Sequence, residues 1–567
     1  MHIQKRSLRF SCVFLFLIFC LGLFSVKLLR IQFFRSEHLS SLAEKQHNNA
    51  VKIEPVRGTI YDRKMRPLAL NVAVYSLFAN PRMMKPEDKA RAVQELSSLL
   101  SLSPEFIEER MSKKKYFVWL ARKLPVEKAE QVKALKIQGL DFIKESKRYY
   151  PNQSLAAHVI GFAGVDNQGL EGIELLHDSY LRGEAGWMRI LRDARQRELL
   201  IEKDYLPPKD GFSLVLTIDE TIQYIAERAL DKAFLEHNAK GATIIVMDPQ
   251  TGEILALANR PTYNLAEVET SNMENRTNRA LAFVYEPGSV FKIVTASAVL
   301  EEGVFQETDK IFCENGQYRV ASHVLHDHHG HGTLTFSEVI EKSSNIGTVK
   351  AAQKLGGEKL YQYGRKFRFG MKTNIDLAGE VDGLLKPTAQ WSKVTISAIP
   401  MGHEVTVTPM QLLSAISAIA NNGTYMKPFV VKYVKDNKDE LIKSFEPQAV
   451  DQVISPETAR RVQAILQRAV ENGTGKKATI KGVSVAGKTG TAQKVLGGAH
   501  SHDKFYATFI GFAPVENPRL AAVVVFDEPH PSYFGGTVAA PVFQEVIENS
   551  LKYLQAGEEE QVIVKNR

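Results

Sequence analysis

Cysteine is nearly absent. Three occur in 567 residues: Cys12, Cys20 and Cys313. The first two fall in an apolar N-terminal segment, which leaves Cys313 alone in the remainder. An intrachain disulfide there is excluded, and so is a cysteine-based metal centre. A phosphate loop is missing too. The Gly-rich stretch 161–172 lacks G-x-G-x-x-G spacing, and no strand opens into a helix there. Lys and Arg number 72 against 64 Asp and Glu. They are scattered apart from Lys113-Lys114-Lys115, and no nucleic-acid motif accompanies them. A solvated surface is the reading, with anionic lipid heads or an acidic partner as the alternative, and no nucleic-acid partner is expected. There is no internal repeat and no low-complexity tract. His323, His326, His328, His329 and His331 crowd around Asp327. Adjacent histidines on a Gly-containing loop cannot all face one ion, and no helical His-x-x-x-His pair occurs. The loop is expected to be structural or solvated, with no metal and no cofactor.

The length exceeds what one core supports, so two or three domains are expected. A hydrophobic fraction of 44% and a charged fraction of 24% fit a folded protein. Phe10 to Val26 carry no charge, at the short limit for a membrane span. Lys27 can snorkel while Leu28, Leu29 and Ile31 extend the apolar face. A retained anchor over 10–33, after a tail of 1–9, is the reading. A cleaved signal peptide is the alternative, but no small-x-small site follows, and Phe19 is too bulky for lipoprotein-type processing at Cys20. Lys5, Arg6 and Arg9 place the N-terminus inside, although Lys27, Arg30 and Arg35 lie on the other flank.

Arg57 to Ala69 reads as strand, turn, strand. Residues 86–139 read as helical, broken at Ser103-Pro104 and Pro125. Pro207-Pro208-Lys209-Asp210-Gly211 is a linker signal. Asp219 caps a helix with apolar residues from Ile222 to Ala233, and a hairpin pairs Ala242–Met247 with Ile254–Ala258. Phe505–Phe512 and Leu520–Phe526 are apolar strands. Pro541 opens a last amphipathic helix, and the final residues are polar and frayed. Helices at each end of a β-rich core predict an α+β or α/β sheet flanked by helices.

Three short stretches carry chemistry. In Glu286-Pro287-Gly288-Ser289-Val290-Phe291-Lys292, a Pro-Gly turn leaves Ser289 near a helix start, where backbone N–H groups lack partners. Ser289 and Lys292 are spaced i, i+3, so hydroxyl and amine can meet, as an activated nucleophile requires. Ser343-Ser344-Asn345 follows the amphipathic run Leu334–Ile340. Lys488-Thr489-Gly490-Thr491 follows the small and β-branched run 483–487. Each stretch alone is matched by a bland reading: a capping Ser, a helix cap, a turn. The order S-x-x-K, S-x-N, K-T-G is the signature of penicillin-binding proteins and serine β-lactamases.

With these stretches the chain resembles a class B penicillin-binding protein, a membrane-anchored peptidoglycan transpeptidase. The resemblance extends to Arg57-Gly58-x-Ile60-x-Asp62-Arg63, the 148–174 segment, Asp248-Pro249-x-Thr251-Gly252 and Thr408-Pro409-x-Gln411-Leu412. Glu528-Pro529 and Gly535-Gly536-x-Val538-Ala539-Ala540-Pro541 are similar to the septal rather than the elongation subtype. The family usually has Gly where Met65 stands, so the turn after Asp62 is expected to differ. No second catalytic motif, of the kind a bifunctional glycosyltransferase carries, occurs in 36–210.

The resemblance implies a multidomain α+β protein. A transmembrane helix precedes an elongated non-catalytic pedestal of the dimerisation type over 34–210. A transpeptidase domain of the serine β-lactamase/penicillin-binding fold, an antiparallel sheet flanked by helices, spans 211–556, and a polar tail covers 557–567. It implies a single-pass protein of the bacterial cytoplasmic membrane with its catalytic domain outside. The partners implied are D-Ala-D-Ala stem peptides of peptidoglycan, β-lactams, and division proteins including a polytopic glycan polymerase. Ser289 would attack the penultimate D-Ala carbonyl and form an acyl-enzyme that a neighbouring stem's amine resolves. Lys292 would be general base, its pKa lowered by burial and by Lys488. Ser343 would relay a proton to the leaving amine, and Asn345 would hold Lys292 and the substrate amide. Lys488, Thr489 and Thr491 would take the terminal carboxylate, and Gly490 would let the strand approach the substrate. The N–H groups of Ser289 and Thr491 would form the oxyanion hole. Alternatives are an elongation-type transpeptidase, a carboxypeptidase or β-lactamase using water, or a penicillin-binding scaffold or sensor.

Overall fold

The computed structural model describes residues 2–30, 49–113, 115, 117–192, 198–320 and 323–565. These form two compact units. The first takes Met1–Val56 and Gly183–Asp210. It holds an N-terminal helix, His2–Leu29, and a three-stranded antiparallel sheet in which Gly186–Arg192 lies between Asn49–Ile53 and Glu198–Leu206. The apolar side chains of that helix, from Val13 to Leu29, are exposed. Among the described residues no helix is long and apolar enough to cross a membrane. Residues 31–33 of the expected anchor and Lys114 of the basic cluster lie outside the described residues.

The second unit takes Arg57–Arg182 and Gly211–Arg567. One seven-stranded sheet ties its earlier and later segments together. Ile60–Tyr61 pairs antiparallel with Pro67–Ala79 and parallel with Ser213–Leu216, which in turn pairs with Val431–Lys435. The 86–139 stretch is helical at Pro86–Leu100, Pro104–Ser112 and Val126–Ala134, with the breaks where expected. Val118–Leu124, read as part of the helical run, is instead a strand against Pro67–Ala79. Its Val118 and Leu120 are buried, and Trp119 and Phe117 close on Phe78 with ring centroids 6.4 and 4.7 Å away. Cross-strand aromatic packing there outweighs helix propensity.

The Arg57-Gly58-x-Ile60-x-Asp62-Arg63 stretch is built around buried charge. Glu174 is fully buried and accepts from Arg57 Nε at 2.6 Å and from Arg148 Nε at 2.6 Å. Arg57 also donates to Asp178 and to the carbonyls of Asn167 and Glu174. Arg148 donates to the Gly58 carbonyl at 2.7 Å. Asp62 closes the next turn by accepting from the backbone N–H groups of Lys64 and Arg66. Met65 sits in that turn at φ 63°, left-handed backbone that a glycine adopts freely and other residues adopt at a cost of about 1–2 kcal/mol.

The other large sheet of this unit is five-stranded and antiparallel. Helix α1 (Glu220–Glu236) precedes β1 (Gly241–Met247) and β2 (Ile254–Arg260). Asp219 Oδ1 caps α1 by accepting from Thr221 N–H at 3.0 Å. Helices α2 (Lys292–Glu301), α3 (Asn345–Leu355), α4 (Pro409–Ala420) and α5 (Pro456–Glu471) follow, among other elements. Then come β3 (Ala486–Leu496), β4 (Ala499–Ala513), β5 (Leu520–Asp527) and α6 (Gly535–Lys565). The strand order is β2-β1-β5-β4-β3, which leaves β3 at an edge. Alternate residues face opposite layers. Ile244, Val246 and Val524 pack with α1 and α6, whereas Ile245, Met247 and Val523 pack with α2 and α4. Helix α6 starts at Gly535 rather than at Pro541, which lies within it. The N–H of Gly535 donates to Thr491 Oγ1 at 3.1 Å and fixes the start there. The helix continues to Lys565, into the stretch expected as a frayed tail.

Glu174→Gln leaves two buried guanidinium groups short of a counter-charge. It should lower unfolding free energy by about 3–5 kcal/mol in urea titration, with the native fold retained in the absence of denaturant.

Candidate active site

Pro287 turns the chain into a short 3₁₀ segment, Gly288–Phe291, that continues as α2. Ser289 is therefore at the helix start and Lys292 one turn on, on the same face. Ser289 is half-exposed, and its hydroxyl makes no hydrogen bond among the described residues. No hydrogen bond joins Ser289 to Lys292 among the described residues. Lys292 is fully buried and donates instead to the Ser343 carbonyl at 2.7 Å, to Asn345 Oδ1 at 2.8 Å and to Ser343 Oγ at 3.2 Å.

Lys488 comes from the edge strand β3. It is 1% exposed, and it donates to Ser343 Oγ at 2.9 Å and to the Thr489 carbonyl at 3.2 Å. One hydroxyl thus accepts from two amines. Its two lone pairs are filled, and its own proton is left to donate elsewhere. Burial pushes the Lys292 amine well below the usual lysine value; the Lys488 charge adds to that push, and Asp327 opposes it. Burial brings Lys488 down to about 7.

Ser343 has φ 61°, left-handed backbone at a non-glycine residue, a strain that persists only where the surroundings hold it. The helix cap of α3 is its neighbour, Ser344, whose Oγ accepts from Gly347 N–H at 3.0 Å. Asp327, which sequence reading placed in a His-rich loop without a role, secures this end. It accepts from Ser344 Oγ at 2.6 Å, Asn345 N–H at 2.5 Å and Ile346 N–H at 3.1 Å. Asn345 Nδ2 donates to the His326 carbonyl at 2.9 Å, which fixes the amide with Oδ1 towards Lys292 and leaves one N–H. The signal that could have found Asp327 is its chemistry: a carboxylate suits the positive end of a helix.

Thr489 Oγ1 lies 2.6 Å from Thr474 Oγ1. Gly490 serves the turn behind it, because a Cβ there would lie 3.0 Å from the Pro287 carbonyl and 3.0 Å from Val290. Ser289, Ser343, Thr489 and Thr491 all open onto one cleft of about 470 Å³, whose wall also includes His328, His329 and His331. Larger clefts of about 620 and 660 Å³ contain none of these residues. Among the described residues the His-rich loop forms no cluster of metal-ligand type.

The penicillin-binding protein transpeptidase domain matches residues 242–548, and the penicillin-binding protein dimerisation domain matches residues 52–216. The chain belongs to the class B penicillin-binding proteins, septal type. Stage V sporulation protein D of Bacillus subtilis (strain 168) is 37% identical over 97% of this chain and 86% of its own length. Peptidoglycan D,D-transpeptidase FtsI of Escherichia coli (strain K12) is 32% identical over 97% and 92%. Among solved structures, penicillin-binding protein 3 from Mycobacterium tuberculosis complexed with aztreonam superposes with a TM-score of 0.70 at 27% identity. It covers 89% of this chain and 97% of that one. In this family member the S-x-x-K, S-x-N and K-T-G stretches meet through the Ser343 hydroxyl.

Asp327→Ala removes three hydrogen bonds from the start of α3. It should cost about 1–3 kcal/mol of stability in a urea melt, because charge-assisted bonds at a helix cap are lost.

Proposed function

We propose that the protein is a peptidoglycan D,D-transpeptidase of septal wall synthesis. The observation that carries this is the Ser343 hydroxyl between two buried amines, in a cleft that the free Ser289 hydroxyl also lines. Ser289 attacks the penultimate D-Ala carbonyl of a stem peptide. Lys292, its proton affinity lowered by burial and by the Lys488 charge, takes the Ser289 proton once substrate draws it from its present acceptors. The tetrahedral oxyanion is held by the N–H groups of Ser289 and Thr491. Ser343 passes a proton to the departing D-Ala amine, and an amine from a second stem then takes the acyl group. Lys488, Thr489 and Thr491 receive the terminal carboxylate. The open edge of β3 offers unpaired backbone groups along which an extended peptide can lie.

The wider organisation belongs to the same reading. Residues 10–33 anchor the chain in the cytoplasmic membrane with the N-terminus inside, 34–210 form a pedestal, and 211–556 form an extracytoplasmic transpeptidase domain. The uncharged run Phe10–Val26 supports the anchor. Partners are stem peptides, β-lactams and division proteins, among them a polytopic glycan polymerase.

Incubated with fluorescent penicillin, the purified protein should carry one covalent label, at Ser289, and Ser289→Ala should carry none. A labelled Ala variant would remove Ser289 as nucleophile. Rapid loss of label from the native protein would point to water as acceptor, as in a β-lactamase.

Acylation should also depend on pH in a bell shape. As pH falls through the depressed value of Lys292, the base gains a proton and the rate drops. As pH rises through about 7, Lys488 loses the charge that attracts the carboxylate of the penicillin, and the rate drops again. Because the two amines interact, the limbs report the pair. In Lys488→Arg the alkaline limb should vanish, since guanidinium stays charged. A flat profile in the native protein would contradict this division of roles.

A further inference from the structure

Away from the Lys292–Ser343–Lys488 cluster, three side chains of metal-ligand type converge. Glu286 Oε2 lies 2.9 Å from His403 Nδ1 and 2.9 Å from His500 Nε2. The three donor atoms all fall within 4.8 Å of one another. The other carboxylate oxygen of Glu286 accepts from Glu404 N–H at 3.0 Å, which orients the group. The side chain of Glu286 is 12% exposed and that of His500 43%, so the site has a sheltered anchor and a face open to solvent.

One carboxylate oxygen facing two imidazole nitrogens is an arrangement that either two protons or one cation can hold together. Two histidines and a glutamate are the protein ligands of known three-ligand zinc sites, which keep a further position for water. Tetrahedral bonds of about 2.0–2.1 Å would set the donor atoms about 3.3–3.4 Å apart. Two of the present spacings are 2.9 Å and none exceeds 4.8 Å, so small side-chain adjustments would seat an ion. Imidazole nitrogen with one carboxylate suits zinc and its neighbours rather than calcium or magnesium.

We propose that Glu286, His403 and His500 form a binding site for a divalent transition metal of the zinc class. The three residues come from the turn that carries Ser289, from the segment whose Gly402 carbonyl accepts from Gly288 N–H at 3.3 Å, and from the hairpin that joins β3 to β4. A bound ion fastens the nucleophile turn to the hairpin behind the K-T-G strand. It touches no substrate and takes no part in acyl transfer, so the site stands or falls independently of the proposed reaction.

The full-length protein in detergent, stripped with a chelator, is titrated with zinc chloride by calorimetry. One equivalent should bind in the micromolar range. His403→Ala and His500→Ala should each weaken that binding by roughly tenfold or more. The double variant His328→Ala/His329→Ala, in the other histidine-rich segment, should bind as the native protein does. Cobalt(II) added to the stripped native protein should develop the visible absorption of a four- or five-coordinate nitrogen–oxygen site, a readout that needs no variant to fold. Absence of binding up to about 100 µM zinc, binding unchanged in His500→Ala, or binding lost in the His328/His329 variant would each overturn the proposal.

Discussion

Two amines buried within reach of one hydroxyl are the constraint on which the rest depends. Lys292 and Lys488 are both nearly inaccessible to water, and both donate to Ser343 Oγ. Burial disfavours the ammonium form of both and lowers both from the ordinary lysine value. The lowered value that suits Lys292 to take and return a proton thus has the same cause, burial, that makes the site costly to fold. Between the depressed values and the ordinary one near ~10.4, the unfolded chain binds more protons than the folded one. Folding stability therefore rises with pH across that window.

Such a site needs rigid walls, and the structure supplies them from separate directions. The edge strand brings Lys488, and β4 and β5 back it. Helix α2 brings Lys292 from the layer on one face of the sheet. The third wall is less regular. Ser343 sits at a left-handed backbone angle, and the helix that follows is held by a side chain from a different segment, Asp327. The strain at Ser343 turns its carbonyl and its hydroxyl together towards Lys292.

Much of this was legible in the sequence, and for a definite reason. S-x-x-K, S-x-N and K-T-G encode local spacings, and the elements beneath them carry local signals. Asp219 before an apolar helix and the paired runs Ala242–Met247 and Ile254–Ala258 are of that kind. What was not legible is what arises only between segments. Asp327 reads as one more polar residue in a histidine-rich loop until α3 is placed beside it. Val118–Leu124 reads as helix because Ala, Arg, Lys and Leu favour one. It becomes a strand because Pro67–Ala79 offers an open edge and Phe78 a surface for Phe117 and Trp119. The Ser289–Lys292 spacing lets hydroxyl and amine meet, yet the hydrogen bonds of the lysine go to Ser343 and Asn345. Spacing fixes which groups can meet; the competition for hydrogen bonds decides which do.

That competition explains why the nucleophile is placed by backbone rather than by side-chain bonds. Ser289 Oγ has no partner among the described residues, so nothing it donates or accepts fixes its position. The turn is confined from outside. Gly402, at φ 82°, approaches so closely that a Cβ would lie 2.2 Å from the Gly288 carbonyl oxygen. On the strand side, Gly490 leaves the room that the Pro287 carbonyl and Val290 occupy. Gly535 in turn sits against the Gly490 carbonyl, where a Cβ would lie 2.3 Å away. Main chain packs on main chain across these contacts, from the 399–405 segment through the nucleophile turn and β3 to the start of α6. Backbone contacts of this kind have few rotamers to lose and little freedom to drift. A hydroxyl mounted on them is held in place while remaining unbonded, the combination that an attacking group requires.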